Sequence, residues 1–168
     1  MRPLITVCLL FAVSIQVARA QKLLRPGEKV LFSFRTTGKK TVMIACDSGE
    51  HYLVYRYGTD AHVELQYPHV PDTASWHKFA YSGIIRGQGF DSSGALDLNF
   101  LTFYRGRYQY IVYDMAYDNA DYSTGVKVRD TTTKKQTDIK GLHNTRGGDL
   151  SNFRHDERVI QSDEMYEE

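Results

Sequence analysis

From Lys29 onward the apolar residues recur mostly at alternate positions, in short runs broken by glycine and polar turns. This spacing constrains the fold more than any other feature. A period of two sends successive side chains to opposite faces of a strand, whereas an amphipathic helix needs apolar residues three and four apart. Strands are expected at "KVLFSFR" (29–35), "KTVMIAC" (40–46), "HYLVYRY" (51–57) and "AHVELQY" (61–67). The links "TTGK", "DSGE" and "GTD" are short and contain glycine, so these four read as an antiparallel meander. "PHVPDTAS" breaks the pattern with two prolines. Alternation resumes at 76–86, 95–104 and 107–114. After the acidic stretch "MAYDNADYST", "GVKVRD" and "KKQTDIKG" form a further hairpin around "TTT". About eight or nine strands make an all-β protein, an antiparallel meander closing into a small barrel or sandwich. Alternation is the same in both. The only helix expected is a short one between 149 and 154.

The first twenty residues, "MRPLITVCLLFAVSIQVARA", place a basic residue before an apolar run and small residues at Ala18 and Ala20. This is the pattern of a secretory signal peptide cut after Ala20, and the run is too short for a membrane span. The expected location is therefore outside the cytoplasm, in the periplasm. Losing Arg2 and Arg19 takes the formal net charge from +1 to −1, which argues against nucleic acid as a partner. Residues 21–155 are expected to form one β domain. Residues 156–168, "DERVIQSDEMYEE", are acidic with few apolar side chains and read as a mobile tail. Cys46 is the only cysteine beyond the leader and ends an apolar run, so burial as a small hydrophobe is expected.

The stretch "SGIIRGQGFDSSG" (82–94) concentrates glycine with arginine, aspartate and serine. As a nucleotide cradle it lacks both the helix after the last glycine and the P-loop lysine. As a nucleophile elbow it lacks the strand-to-helix turn around Ser92 or Ser93. No cofactor and no enzymatic activity are expected, and no histidine spacing supports a metal site. Asp114, Asp118, Asn119 and Asp121 could approach a calcium ion, but the glycine turn and closing glutamate of an EF-hand are missing, so a solvated acidic loop is expected. The twelve tyrosines suit half-buried strands, and they also suit a surface that binds protein or sugar. In 51–57, Tyr55 and Tyr57 are expected on one face, Val54 and Arg56 on the other.

The run "FAYSGIIRGQGFDSSGALDL" resembles the central part of the periplasmic inhibitors of C-type lysozyme, through Tyr81, Ser82, Arg86, Gly87, Gly89, Leu96 and Leu98. "TVMIACDSGEHYLVYRY" is similar to the upstream part of that family at Cys46, Asp47 and Gly49. Gln88 stands where the family carries a lysine that enters the enzyme cleft, the second disulfide cysteine is absent, and this chain is longer. The resemblance implies a small secreted β-barrel that blocks lysozyme or another peptidoglycan hydrolase, as an inhibitor or immunity protein. The loop would be the plug: Arg86 pairing with carboxylates, Gln88, Ser92 and Ser93 hydrogen-bonding, Phe90 anchoring, and Asp91 displayed beside them. The alternative expectation is a carbohydrate- or lipid-binding module of the cell envelope that uses its tyrosine face.

Overall fold

The computed structural model describes residues 22–87, 94–117 and 121–166. In chain order the strands are β1 (Glu28–Arg35), β2 (Thr41–Asp47), β3 (Leu53–Thr59), β4 (His62–Tyr67), β5 (Ala80–Arg86), β6 (Leu96–Arg105), β7 (Tyr108–Tyr117), β8 (Asp121–Asp130), β9 (Gln136–Lys140), β10 (Gly147–Gly148) and β11 (Ile160–Gln161). They form two separate sheets, ordered β10-β1-β2-β3-β4 and β11-β5-β6-β7-β8-β9. The expected all-β meander is present, and of the two forms left open it is the sandwich. Every pairing is antiparallel except β11 on β5. Among the described residues no helix is long and apolar enough to cross a membrane.

The alternation delivers one apolar face per sheet to the interior. Phe32, Phe34, Val42, Ile44 and Tyr55 from the first sheet meet Tyr81, Leu101, Phe103, Val112 and Val126 from the second, all buried. Phe103 is the hub of an aromatic cluster, with Tyr67 stacked on it at 4.4 Å, Tyr110 at 4.9 Å and Tyr55 tilted at 4.9 Å. Several tyrosines are thus core residues, because a ring adds apolar area while its hydroxyl can reach the edge of the layer. Cys46 is fully buried, and burial pushes its thiol pKa up.

Tyr55 lies inward and Val54 and Arg56 outward, yet both outward residues are also buried. The segment before β1 lies over Arg56. Arg56 forms a forked pair with Glu28 (2.6 and 2.8 Å) and donates to the Leu23 carbonyl (2.7 Å) and the Gln66 side chain (2.8 Å). The Tyr52 hydroxyl and the Arg25 amide also donate to Glu28. Burial raises the Glu28 pKa, but these donors outweigh it and hold the carboxyl below its ordinary value.

Three local expectations differ from the structure. The strand expected at 76–86 begins as a 3₁₀ turn (Trp76–Lys78), and pairing starts at Ala80. The acidic stretch 115–124 is mostly strand, since β7 continues to Tyr117 and β8 starts at Asp121. The segment from Asp156, whose composition suggests a mobile tail, lies on the second sheet as far as Tyr166. Val159 is buried, Ser162 N–H donates to the Tyr81 carbonyl, and the Tyr166 ring meets Phe100 at 5.5 Å. Leu98, Phe100, Ile111 and Tyr113 form an apolar cluster on the outer side of that sheet, and Tyr166 packs against it. The expected short helix is a 3₁₀ turn at Leu150–Phe153, started by Asp149 accepting from Ser151 N–H (2.8 Å).

Candidate functional site

The register across β5, β6, β7 and β8 arranges the inward-facing residues in rows. Deep in the core the row is Tyr81, Leu101, Val112 and Val126, mostly apolar. Two residues nearer the hairpin tips it is Gly83, Asn99, Asp114 and Thr124. At the rim it is Ile85, Asp97, Ala116 and Tyr122, and Ile85 and Tyr122 are exposed. One end of the interior therefore changes from apolar to polar, then opens to solvent with apolar side chains on display.

Two arginines from the far end of the chain fill the polar row. Arg154, just after the 3₁₀ turn, pairs with Asp97 and donates to Asn99 Oδ1 (2.9 Å) and the Tyr81 hydroxyl (3.2 Å). That hydroxyl in turn donates to Asn99 Oδ1 (2.6 Å). Arg146 lies against Asp114 (2.6 and 2.7 Å) and Asp149 (3.3 Å). Burial pushes the Asp114 pKa up, and Arg146 only partly offsets this. Burial also raises the Asp149 pKa, but the Ser151 hydrogen bonds and Arg146 reverse it, so Asp149 lies below its ordinary value. His143 stacks on the rim residue Tyr122 at 4.6 Å between ring centres.

Gly83 makes this arrangement possible. A Cβ there would lie 2.5 Å from the Tyr81 hydroxyl and 2.6 Å from the Leu98 carbonyl oxygen. Only glycine lets the Tyr81 ring cross the strand to reach Asn99 and Arg154. The first glycine of the sequence-selected stretch thus serves the packing beneath the loop.

Of the residues expected to contact a partner, Arg86 ends β5, is exposed, and pairs in register with Leu96. Gln88, Phe90, Asp91, Ser92 and Ser93 lie outside the described residues. Ile84 and Ile85, which the sequence reading passed over, precede Arg86 at 42% and 61% exposure. Adjacent residues of a strand point to opposite sides, so both faces of this arm are apolar at its tip. The acidic candidates separate: Asp114 is in the inner polar row, and Asp121 lies opposite Tyr117 in the outward-facing register. Asp118 and Asn119 lie outside the described residues. The register also carries Arg86, Leu96, Tyr117 and Asp121 in one line, so β5 and β7 end at the same end of the sheet.

The polar row is missed by sequence reasoning because its partners are distant: Asp114 and Arg146 are 32 positions apart, Asp97 and Arg154 57. The only local signal is Asp149 before the 3₁₀ turn. Compared with protein-family models, with curated proteins and with solved structures, the chain shows no match.

Proposed function

We propose that this chain is a secreted, non-enzymatic binding protein that blocks a peptidoglycan hydrolase with the end of the second sheet from which the 87–95 connection emerges. One observation carries the reading: Ile84, Ile85 and Arg86 are exposed together at the tip of an arm whose base is riveted by Tyr81, Asn99 and Arg154. Exposed aliphatic side chains beside an arginine match the apolar centre and charged anchor of protein interfaces. A rigid base means that little conformational entropy is lost when the tip is immobilised against a partner. Arg86 is suited to pair with the carboxylates of a glycosidase cleft, where two acidic groups flank the scissile bond. The leader-like segment 1–20 supports a location outside the cytoplasm.

The test is titration of the purified chain into C-type lysozyme and a panel of periplasmic peptidoglycan hydrolases, reading complex formation by size exclusion and cell-wall turnover by dye release. A stoichiometric complex and loss of turnover are expected for at least one enzyme. Arg86→Glu should lower the affinity at least tenfold by opposing the cleft carboxylates. Absence of any complex, or an Arg86→Glu chain that inhibits like the parent, overturns the reading.

A further inference from the structure

The β5 edge of the second sheet is closed for only part of its length. β11 covers β5 at Ala80 and Tyr81, and the last backbone bond of the tail to this edge runs from Ser162 N–H to the Tyr81 carbonyl (2.8 Å). Ile160 N–H donates to the Phe79 carbonyl (3.0 Å), so it is the odd-numbered residues that aim their backbone groups at this edge. By the same alternation Gly83 and Ile85 present their N–H and C=O groups there, and no described residue pairs with them. Such an edge is a template for a further strand unless charge, proline or a bulge blunts it. β4, the last strand of the first sheet, is blunted: it carries His62 and Glu64, shifts register against Tyr57 and Gly58 of β3, and leads into Pro68. Gly83, Ile84 and Ile85 carry no such device, and both isoleucines are exposed.

We propose that this free stretch of β5 pairs with itself in a second copy of the chain, antiparallel across a two-fold axis. That axis stands perpendicular to the joined sheets, so only residues of like face can meet, and the pairing centres on Ile84 or on Ile85. Centring on Ile84 would set Arg86 of each copy opposite Ser82 of the other, where Ser162 of the tail leaves the edge. Centring on Ile85 clears the tail and lets the two Ile85 residues exchange N–H···O=C bonds. Arg86 of one copy then lies opposite Ile84 of the other, on the outer face, where Asp163 begins the crossing of the tail toward Phe100. Arg86 and Asp163 are both exposed and have no ion-pair partner among the described residues. They flank the free stretch at its two ends, so an antiparallel two-fold brings each toward its opposite charge. This self-complementarity favours a second copy over an unrelated strand. The dimer uses side chains assigned above to the hydrolase contact, yet it forms without any enzyme, so the two readings fail separately.

The experiment is sedimentation velocity of the purified chain without enzyme, over roughly micromolar to millimolar concentration, the range of a small transient interface. A monomer–dimer equilibrium is expected. Ile85→Lys should weaken it about tenfold or more, because like charges then meet at the axis. Arg86→Glu and Asp163→Arg should each weaken it about threefold or more, since each sets like charges together at two symmetric contacts. An equimolar mixture of these two variants should dimerise like the parent, because both contacts of the mixed dimer again join opposite charges. Thermal melting of dilute samples shows that each variant folds. A chain that stays monomeric throughout, a dimer indifferent to folded Ile85→Lys, or a mixture no more associated than its components overturns the proposal.

Discussion

The two sheets each carry arginine–carboxylate clusters, and their surroundings differ in kind. On the first sheet, the side chains of Arg56 and Glu28 are 0% and 1% exposed, sealed beneath the segment before β1 with neighbouring donors supplied. On the second, Arg154 and Arg146 are 20% and 27% exposed, and their partners Asp97 and Asp149 39% and 46%. Donors hold Glu28 below its ordinary pKa, whereas burial raises that of Asp114, the one carboxylate of the second cluster that is itself enclosed (7% exposed). Fully satisfied, sealed charge locks a chain segment in place. The second cluster is wet only at its edge, beside exposed Ile85 and Tyr122, while its Tyr81, Asn99 and Arg154 side chains are hydrogen-bonded to one another beneath that edge.

The largest effect should come from breaking the seal. Arg56→Met leaves the Glu28 carboxylate buried without its cation, a change that costs about 3–5 kcal/mol. Urea unfolding should show this as a lower midpoint. The double variant Arg56→Met with Glu28→Leu should recover most of the loss, because the desolvated charge is then gone. If the single variant is as stable as the parent, the pair is not sealed in solution.

Next in size is Gly83→Ala. Its methyl group meets Tyr81 and the Leu98 carbonyl, so about 1–3 kcal/mol of overpacking strain is expected. The displaced Tyr81 hydroxyl would also release Asn99 and Arg154. Thermal melting reads the first effect and partner titration the second. Gly94→Ala offers the contrast: its Cβ would meet nothing within 4 Å, so only its left-handed backbone (φ +83°) is penalised.

Glu28 and Asp114 should also respond to acid with opposite signs. Glu28 has a folded pKa below its unfolded one, so the unfolded chain binds more protons. Its contribution is complete above the ordinary glutamate value near 4.5 and is lost as pH falls through the folded value. Asp114 has a folded pKa above its unfolded one, so its contribution improves as pH falls from the folded value toward 3.8. Glu28→Gln should therefore flatten the acid limb of a stability–pH curve, and Asp114→Asn should steepen it. Equal slopes in the two variants would remove the distinction between Glu28 and Asp114.

Strand existence and face were legible in the sequence because alternation is a local signal. Tyr55 inward and Arg56 outward follow directly from it. That Arg56 is buried was not legible, since the segment covering it lies 33 positions away at Leu23. The packing of the tail was not legible for a related reason: low apolar content suggests mobility, but Val159 joins the core between the sheets and Tyr166 packs on the outer face of the second sheet. At the candidate site, the loop drew notice through its glycines. Ile84 and Ile85 looked like ordinary strand residues, because exposure depends on where the neighbouring strands end.

The smallest effect on stability, and the sharpest test of the contrast, belongs to Ile85→Ser. Its side chain is 61% exposed at the rim, so the folded state loses little packing and the change in stability should stay within about 0.5 kcal/mol. If the open end is the binding surface, the same substitution removes an apolar contact at its centre, and partner affinity should fall at least tenfold, mainly through faster dissociation. Surface plasmon resonance with the captured hydrolase separates the two quantities. A variant that loses stability but keeps its affinity would make Ile85 a core residue and move the surface elsewhere. A variant that keeps both would leave the rim without a role in binding, and the open cluster would then be as structural as the sealed one.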